Sequence, residues 1–269
     1  MLSQCWKLIK AGSMLKRQVI KWVVRTVGGL LLILLAFVTY TRFPSGAIGA
    51  ELELDPAAEY VVILLHGVGG EESPVLLEIA ESFRVGLKAL PATEVVYYHW
   101  APWSDSYLRS GAHGVVLARQ LARELATLPN LRHIRLITHS AGARFPDPLC
   151  ETYKNLVAKP AHIEATFIDG MGMRGFLDYT YGYRNFGRCV DFASAYFTHD
   201  AEAPATNEPL DHAYNTDVSD APGRAESGLD AHRWPLGYFL AELDKNQMQP
   251  GARSHTGLAR GTVVRINAD

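Results

Sequence analysis

The pattern of apolar and polar positions begins with one long apolar stretch near the N-terminus. Residues 26–41 carry no charge and include an uninterrupted apolar run at 30–35. As a helix this stretch is about 24 Å long, slightly less than the roughly 30 Å of a hydrocarbon core. Residues 19–24 extend it if Lys21 and Arg25 reach toward the lipid headgroups. The pattern therefore predicts an N-terminal hydrophobic helix.

Beyond a small-residue linker the pattern changes to short apolar runs separated by longer amphipathic segments. Ser73 and Pro74 begin one predicted helix, which continues to about residue 87, and a second ends near Pro129. Strands that alternate with such helices indicate an α/β fold, with a mostly parallel central sheet covered by helices on both faces. We expect an N-terminal segment at 1–45, a linker at 46–58 and one α/β domain at 59–269. The predicted strands are 61–65, 95–100, 134–138, 163–168 and 190–197, and a last helix is predicted at 234–240.

Charge is distributed unevenly between these two regions. Seven of the 26 basic residues precede Glu51, the first acidic residue, which leaves 19 basic against 28 acidic residues and a net charge of −9 from there onward. Binding to nucleic acid requires a basic surface that offsets the phosphate charge. The composition therefore excludes nucleic acid as a partner.

The basic flank before the apolar helix decides how that helix is interpreted. By the positive-inside rule the flank stays in the cytoplasm, so a transmembrane anchor would place the α/β domain on the extracytoplasmic side. Ser45-Gly46-Ala47 also provides small residues for a signal peptidase, so a cleaved signal peptide that exports the domain remains an alternative. A buried core helix is disfavoured, because such helices rarely carry a one-sided charged flank. Both favoured interpretations make the membrane a partner during or after export.

Three cysteines are present, and only Cys150 and Cys189 lie in the α/β region. In an oxidising compartment these two form an even pair, which predicts a disulfide. Two unpaired buried thiols are the alternative.

The chemically informative residues lie where predicted strands end. Thr138-His139-Ser140-Ala141-Gly142 follows the third strand, and its small residues suit a tight turn into a helix. This segment resembles the nucleophile elbow, G-x-S-x-G, of α/β-hydrolases, with Ser140 as the nucleophile. The sequence departs from that family at Thr138, which replaces the first glycine. It departs again at Pro146 and Pro148, which predict a short turn and then a second helix from about residue 148 to 157.

A glycine loop after the first strand adds to this resemblance. His66-Gly67-Val68-Gly69-Gly70 is similar to the HG oxyanion loop that α/β-hydrolases place before the nucleophile. The resemblance implies that the backbone N–H groups of Val68 and Ala141 hold the oxyanion, and that His66, Gly67 and Gly69 shape the loop. A phosphate-binding loop is disfavoured, because neither glycine-rich phosphate motif is complete.

The family order also requires an acid and then a histidine after the serine. Asp169 directly follows the fourth strand, in an arrangement similar to that of pancreatic lipase-like enzymes, and Asp191 is the reserve candidate. His232 precedes Trp234-Pro235, and this run is similar to the segment after the catalytic histidine of lipase-like enzymes. His212 is the second choice of base. His199 and His255 are the remaining histidines after Asp169, and His139 is assigned to packing or lining.

Together these residues are identified as those of a lipase-like or esterase-like serine hydrolase. The implied triad of Ser140, His232 and Asp169 cleaves a small-molecule or lipid ester, with no cofactor and no metal, because no Cys/His cluster has ligand spacing. A catalytically inactive membrane-anchored scaffold and an acyltransferase with the same triad are the alternatives, and the oligomeric state is left open.

Overall fold

The computed structural model describes residues 2–44, 46, 49–70, 73–243, 248–250 and 257–267, with side chains described from residue 16 onward. The chain divides into two compact units, Met1–Thr41 and Arg42–Asp269. The first unit is a single helix and the second is an α/β unit.

The N-terminal unit is formed by helix α1 (Leu2–Arg42). Its segment Lys16–Arg42 has 27 residues and a mean hydropathy of 2.1, and the apolar window within it contains no buried residue. At 1.5 Å per residue this segment is about 40 Å long, which exceeds the thickness of a hydrocarbon core. The predicted apolar helix is therefore present, and it is a candidate membrane span or signal anchor. Ser45 and Ala47, which belong to the proposed cleavage site, lie outside the described residues.

The second unit is built on a seven-stranded sheet in which every pair of neighbours is parallel. The order across the sheet is β2-β1-β3-β4-β5-β6-β7. The strands are β1 (Tyr60–Leu65), β2 (Thr93–Tyr98), β3 (His133–His139), β4 (His162–Ile168), β5 (Phe192–Phe197), β6 (Tyr214–Asp220) and β7 (Val263–Asn267). The helices after α1 are α2 (Pro74–Gly86), α3 (Ser110–Leu125), α4 (Pro146–Leu156), α5 (Tyr181–Asn185), α6 (Arg224–Ser227) and α7 (Trp234–Glu242), with a 3-10 turn at Ser140–Arg144.

Helices cover both faces of this sheet, as predicted. Strand β1 is buried along its whole length, because alternate side chains enter two separate cores. Val61, Ile63 and Leu65 pack with α3 and α4, whereas Val62 and Leu64 pack with α2 and α7. A continuous apolar run of strand length is therefore the sequence feature of a strand buried on both sides.

The order of the strands creates one reversal in the direction of winding. From β1 the chain crosses to β2 at one edge, and β3 then returns to the other side of β1 and continues toward β7. In open parallel sheets, ligands bind beyond the carboxyl ends of the strands at such a switch point. The loops after β1 and β3, which contain Gly67 and Ser140, therefore lie where this type of sheet binds ligands.

Five of the seven strands were predicted, and β6 and β7 were missed. The sequence of β6, Tyr-Asn-Thr-Asp-Val-Ser-Asp, contains one aliphatic residue, so its polarity resembles that of a loop. Strand β7 is an edge strand with mostly exposed side chains and gives no buried pattern. Helix α4 begins at Pro146, two residues before the predicted start, because proline is favoured in the first turn of a helix.

At the amino ends of β4 and β5, a disulfide joins Cys150 on α4 to Cys189 in the segment before β5. Asp147 reinforces the connection, since its two carboxylate oxygens accept hydrogen bonds from the backbone N–H groups of Gly187 and Cys189 at 2.9 and 2.8 Å. Lys154 forms an ion pair with Asp191 at 2.7 Å in the same region. This edge of the unit is therefore covalently and electrostatically tied together.

We expect the double variant Cys150→Ala/Cys189→Ala to unfold more easily than the native protein. The bridge spans 39 residues, and in the chain-entropy model a loop of this size contributes about 4 kcal/mol. Denaturant unfolding without reductant measures the loss, with Cys5→Ala as the matched control. Equal free energies of unfolding for the double variant and the native protein would contradict the prediction.

Candidate active site

Ser140 is the first residue of the 3-10 turn that directly follows β3, and its backbone is strained. Its φ angle is +52°, a left-handed conformation that costs a non-glycine residue on the order of 1 kcal/mol or more. The small residue at position 142 is required here, because a Cβ added to Gly142 would lie 2.5 Å from the carbonyl oxygen of Leu65. This tight, strained strand-to-helix turn matches the geometry that a nucleophile elbow needs.

Thr138, which replaces the usual first glycine, fits into the sheet without opening the turn. It is a residue of β3 itself, is fully buried, and donates a hydrogen bond from its hydroxyl to the carbonyl oxygen of Thr166 at 3.2 Å. The threonine is therefore satisfied by the neighbouring strand β4, and the turn begins only after His139.

Asp169 and His232 meet directly. The Nδ1–H group of His232 donates to Oδ2 of Asp169 at 2.5 Å, although 63 residues separate the two. Asp169 is completely buried and has a φ angle of +44°, at the turn where β4 ends. Because the proton lies on Nδ1, Nε2 of a neutral His232 is left as a proton acceptor.

The buried environment of Asp169 disfavours the ionised form of its carboxyl group. Burial raises the pKa of this carboxyl, while hydrogen bonds from His232, from the backbone N–H of Thr198 and from Thr206 act in the opposite direction. The N–H of Thr198 lies 3.3 Å from Oδ1. A buried carboxylate of this kind is retained only where hydrogen bonds satisfy it.

Two further contacts hold the loop that carries His232. The Thr198 hydroxyl donates to the carbonyl oxygen of Ala231 at 2.8 Å. Nε2–H of His139 donates to the carbonyl oxygen of His232 at 3.2 Å, and the two imidazole rings lie 4.6 Å apart. Thr198 was missed in the sequence, although its position directly after a strand at the carboxyl edge was an available signal.

The loop after β1 packs against the serine. A Cβ added to Gly67 would lie 2.7 Å from Cβ of Ser140, so only glycine allows this approach. Gly67, Val68, Gly69 and Gly70 all line the same cavity as Ser140.

The buried side chain of His66 fixes the orientation of this loop through hydrogen bonds. Its Nδ1–H donates to the carbonyl oxygen of Gly67 at 2.8 Å, and its Nε2 accepts the backbone N–H of Trp100 at 3.3 Å. Burial lowers the pKa of His66, in agreement with this neutral tautomer. The carbonyl of Gly67 and the N–H of Val68 belong to one trans peptide and point in opposite directions. Fixing that carbonyl therefore orients the N–H of Val68, which makes no hydrogen bond with the described residues.

The residues come together in a cavity of about 550 Å³ at the carboxyl ends of β1 and β3. Ser140, His139 and His232 line it, while Asp169 lies behind His232. Apolar side chains form much of the remaining wall, provided by Val68, Pro74, Val75, Tyr107, Leu229 and Leu236. Among the lining residues that the structure describes, Arg233 carries a charge. In the described part of the chain, the Ser140 hydroxyl has no hydrogen-bond partner.

The reserve candidates lie elsewhere. Asp191 binds Lys154 and accepts the N–H of Ile163 at 2.8 Å, at the amino end of the sheet. His212 contacts the carbonyl oxygen of Arg184 before β6. His199 pairs with Asp217 at 3.4 Å and lines a different cavity. His255 lies outside the described residues, and among those described no group of three or more His, Cys, Asp and Glu residues could hold a metal ion.

The burial of His139 predicts a pH dependence of stability. Burial, with a smaller effect of nearby His232, lowers the pKa of His139 from the usual 6.5 to about 3. Between these values the unfolded chain binds a proton that the folded chain does not, so stability falls as the pH falls from 6.5 toward 3. The loss is at most about 1.4 kcal/mol per pH unit.

We therefore expect His139→Gln to flatten the dependence of the unfolding free energy on pH. Denaturant titrations of the native protein and the variant at pH 7, 6, 5 and 4 measure both slopes. Identical slopes would show that His139 becomes protonated in the folded protein.

Comparison with protein-family models finds no match for this chain, and comparison with curated proteins finds none either. Function is therefore inferred from the geometry of the site.

Proposed function

We propose that the chain is a serine hydrolase of the α/β-hydrolase fold that cleaves carboxylic esters. The observation that carries this proposal is the hydrogen bond between Asp169 and His232. His232 and Ser140 line one cavity at the switch point of the sheet. The chain order serine, acid, histidine agrees with the resemblance found in the sequence.

In the proposed reaction Ser140 Oγ attacks the ester carbonyl carbon while Nε2 of His232 takes the hydroxyl proton. The carbonyl oxygen becomes an oxyanion, and the carbon–oxygen bond to the alcohol then breaks as the histidine returns the proton to the leaving group. Water attacks the acyl-serine in the same way and releases the carboxylic acid. Asp169 keeps the proton of His232 on Nδ1 and stabilises the imidazolium that forms in each step.

The backbone N–H groups of Val68 and Ala141 would receive the oxyanion. Ala141 is the second residue of the 3-10 turn, and the first N–H groups of a helix have no partner within it. The N–H of Val68 is oriented through the fixed carbonyl of Gly67. Each such donor contributes about 10²- to 10³-fold to the rate in enzymes of this type.

The hydroxyl of Ser140 makes no hydrogen bond to a described residue. Contacts between nucleophile and base are often long in free enzymes and shorten once substrate is bound. The apolar wall of the cavity favours an ester with an uncharged acyl chain, because burial of such a chain releases water from Val68, Leu229 and Leu236.

We infer that this site works on the extracytoplasmic side of a membrane. The basic residues before the apolar part of α1 favour retention of that flank in the cytoplasm. The Cys150–Cys189 disulfide supports an oxidising compartment for the rest of the chain.

A fluorophosphonate probe is expected to label the native protein covalently, because it traps a serine that a neighbouring base has activated. Ser140→Ala should abolish the labelling and the hydrolysis of short-chain nitrophenyl esters. Ser219→Ala is the matched control, since this buried serine binds Asp217 outside the cavity and its loss should leave labelling intact. An unlabelled native protein would favour the inactive scaffold, whereas acyl transfer to an added alcohol in preference to water would favour the acyltransferase.

Replacing each candidate acid, Asp169 or Asp191, by asparagine shows which of them orients His232. We expect Asp169→Asn to lower kcat by about 10⁴-fold, because the amide no longer keeps the proton on Nδ1 of His232. Asp191→Asn should leave kcat nearly unchanged, since Asp191 lies at the opposite end of the sheet. Ester hydrolysis at saturating substrate measures both variants. A larger loss of kcat in the Asp191 variant would reverse the assignment.

A further inference from the structure

One residue lies in contact with both halves of the site and has no part in the mechanism above. His139 is the last residue of β3 and directly precedes Ser140, so its backbone forms the beginning of the nucleophile turn. Its side chain reaches across to the loop that carries His232. Any change in the position of this ring is therefore transmitted to the serine and to the base together.

The hydrogen bond of His139 defines its tautomer. A carbonyl oxygen can only accept, so Nε2 of His139 carries the proton that is donated to the carbonyl of His232 at 3.2 Å. In the neutral ring Nδ1 is then unprotonated, and this atom faces Gly67, where an added Cβ would lie 3.4 Å from it. Among the described residues, the titratable and charged groups that face the ring are His232, Arg233 and His66.

The ring of His139 also restricts the ring of His232 sterically. Their centroids are 4.6 Å apart and the planes are inclined by 35°. Asp169 fixes one nitrogen of His232 from behind, but a single hydrogen bond allows the ring to swing about it. A second surface against the ring, together with a hydrogen bond to the carbonyl of the same residue, removes that freedom.

We propose that His139 is a positioning residue, which couples the nucleophile turn to the base loop and keeps Nε2 of His232 directed into the cavity. The proposal rests on the proposed hydrolase function. It assigns to His139 a role beyond the packing or lining role expected from the sequence.

The test compares H139Q with H139N in the full-length protein. The amide of glutamine reaches the position of Nε2 and can donate to the carbonyl of His232, whereas the amide of asparagine is one methylene shorter. We expect H139N to lower kcat by about 10- to 100-fold, with KM changed by less than about threefold, because transition-state geometry is affected more than binding. H139Q should recover most of the lost rate.

A second measurement does not depend on activity. We expect the proton between Asp169 and His232 to give a low-field proton NMR signal in the native protein. This signal should weaken or exchange faster with water in H139N and remain in H139Q. H133F is the control for a histidine substitution at the opposite end of β3, and it should leave both kcat and the signal unchanged. H139F, which keeps the ring but not the donor, separates the steric part from the hydrogen bond.

Native rates and an unchanged low-field signal in H139N and H139F would overturn the proposal. A comparable loss in H139Q and H139N would also overturn it, because a general effect of substitution would then explain the result. Circular dichroism verifies that each variant is folded. If the native protein hydrolyses no ester, the proposed function fails, and the NMR comparison alone still decides the role of His139.

Discussion

Close backbone packing between the turn at Ser140–Arg144 and the end of β1 is the constraint on which the rest of the site depends. At Gly142 and at Gly67, an added Cβ would collide with Leu65 and with Ser140, at 2.5 and 2.7 Å respectively. Neither segment can move without displacing the other. The serine and the amides of the glycine loop are thus held together by the same contact, and β1 and β3 must be neighbours for this contact to exist.

The buried acid depends on that arrangement in a different way. Asp169 is withdrawn from water and needs hydrogen bonds from Thr198, directly after β5, and from His232 in the loop before α7. In a dry interior such bonds are strong, but an unsatisfied carboxylate would be costly. Thr198 contacts both segments, since its N–H donates to Asp169 and its hydroxyl donates to Ala231 in the loop that carries His232. The polar network therefore stabilises the loop conformation as well as the charge.

The two ends of the sheet differ in what they carry: the amino end holds cross-links between elements, and the carboxyl end holds the candidate site. The amino end is tied by the disulfide, by Asp147 and by the pair Lys154–Asp191, all of which join neighbouring elements rigidly. The carboxyl end carries the glycine loop, the strained Ser140 and the loop that contains His232. Positive φ angles at Ser140 and Asp169 are tolerated there because the surrounding strands hold both turns in place.

Local features were determined by the sequence itself, because apolar runs, glycines and prolines act over a few residues. Strands β1 to β5, the tight serine turn and an acid at a strand end follow from such patterns. The polar strand β6 was not predictable, since it owes its conformation to pairing with β5. The sequence already favours Asp169 over Asp191 and His232 over His212, but only the tertiary structure brings Asp169 and His232 into contact. Contacts between residues far apart in the chain depend on the order of strands and on which end of the sheet each loop occupies.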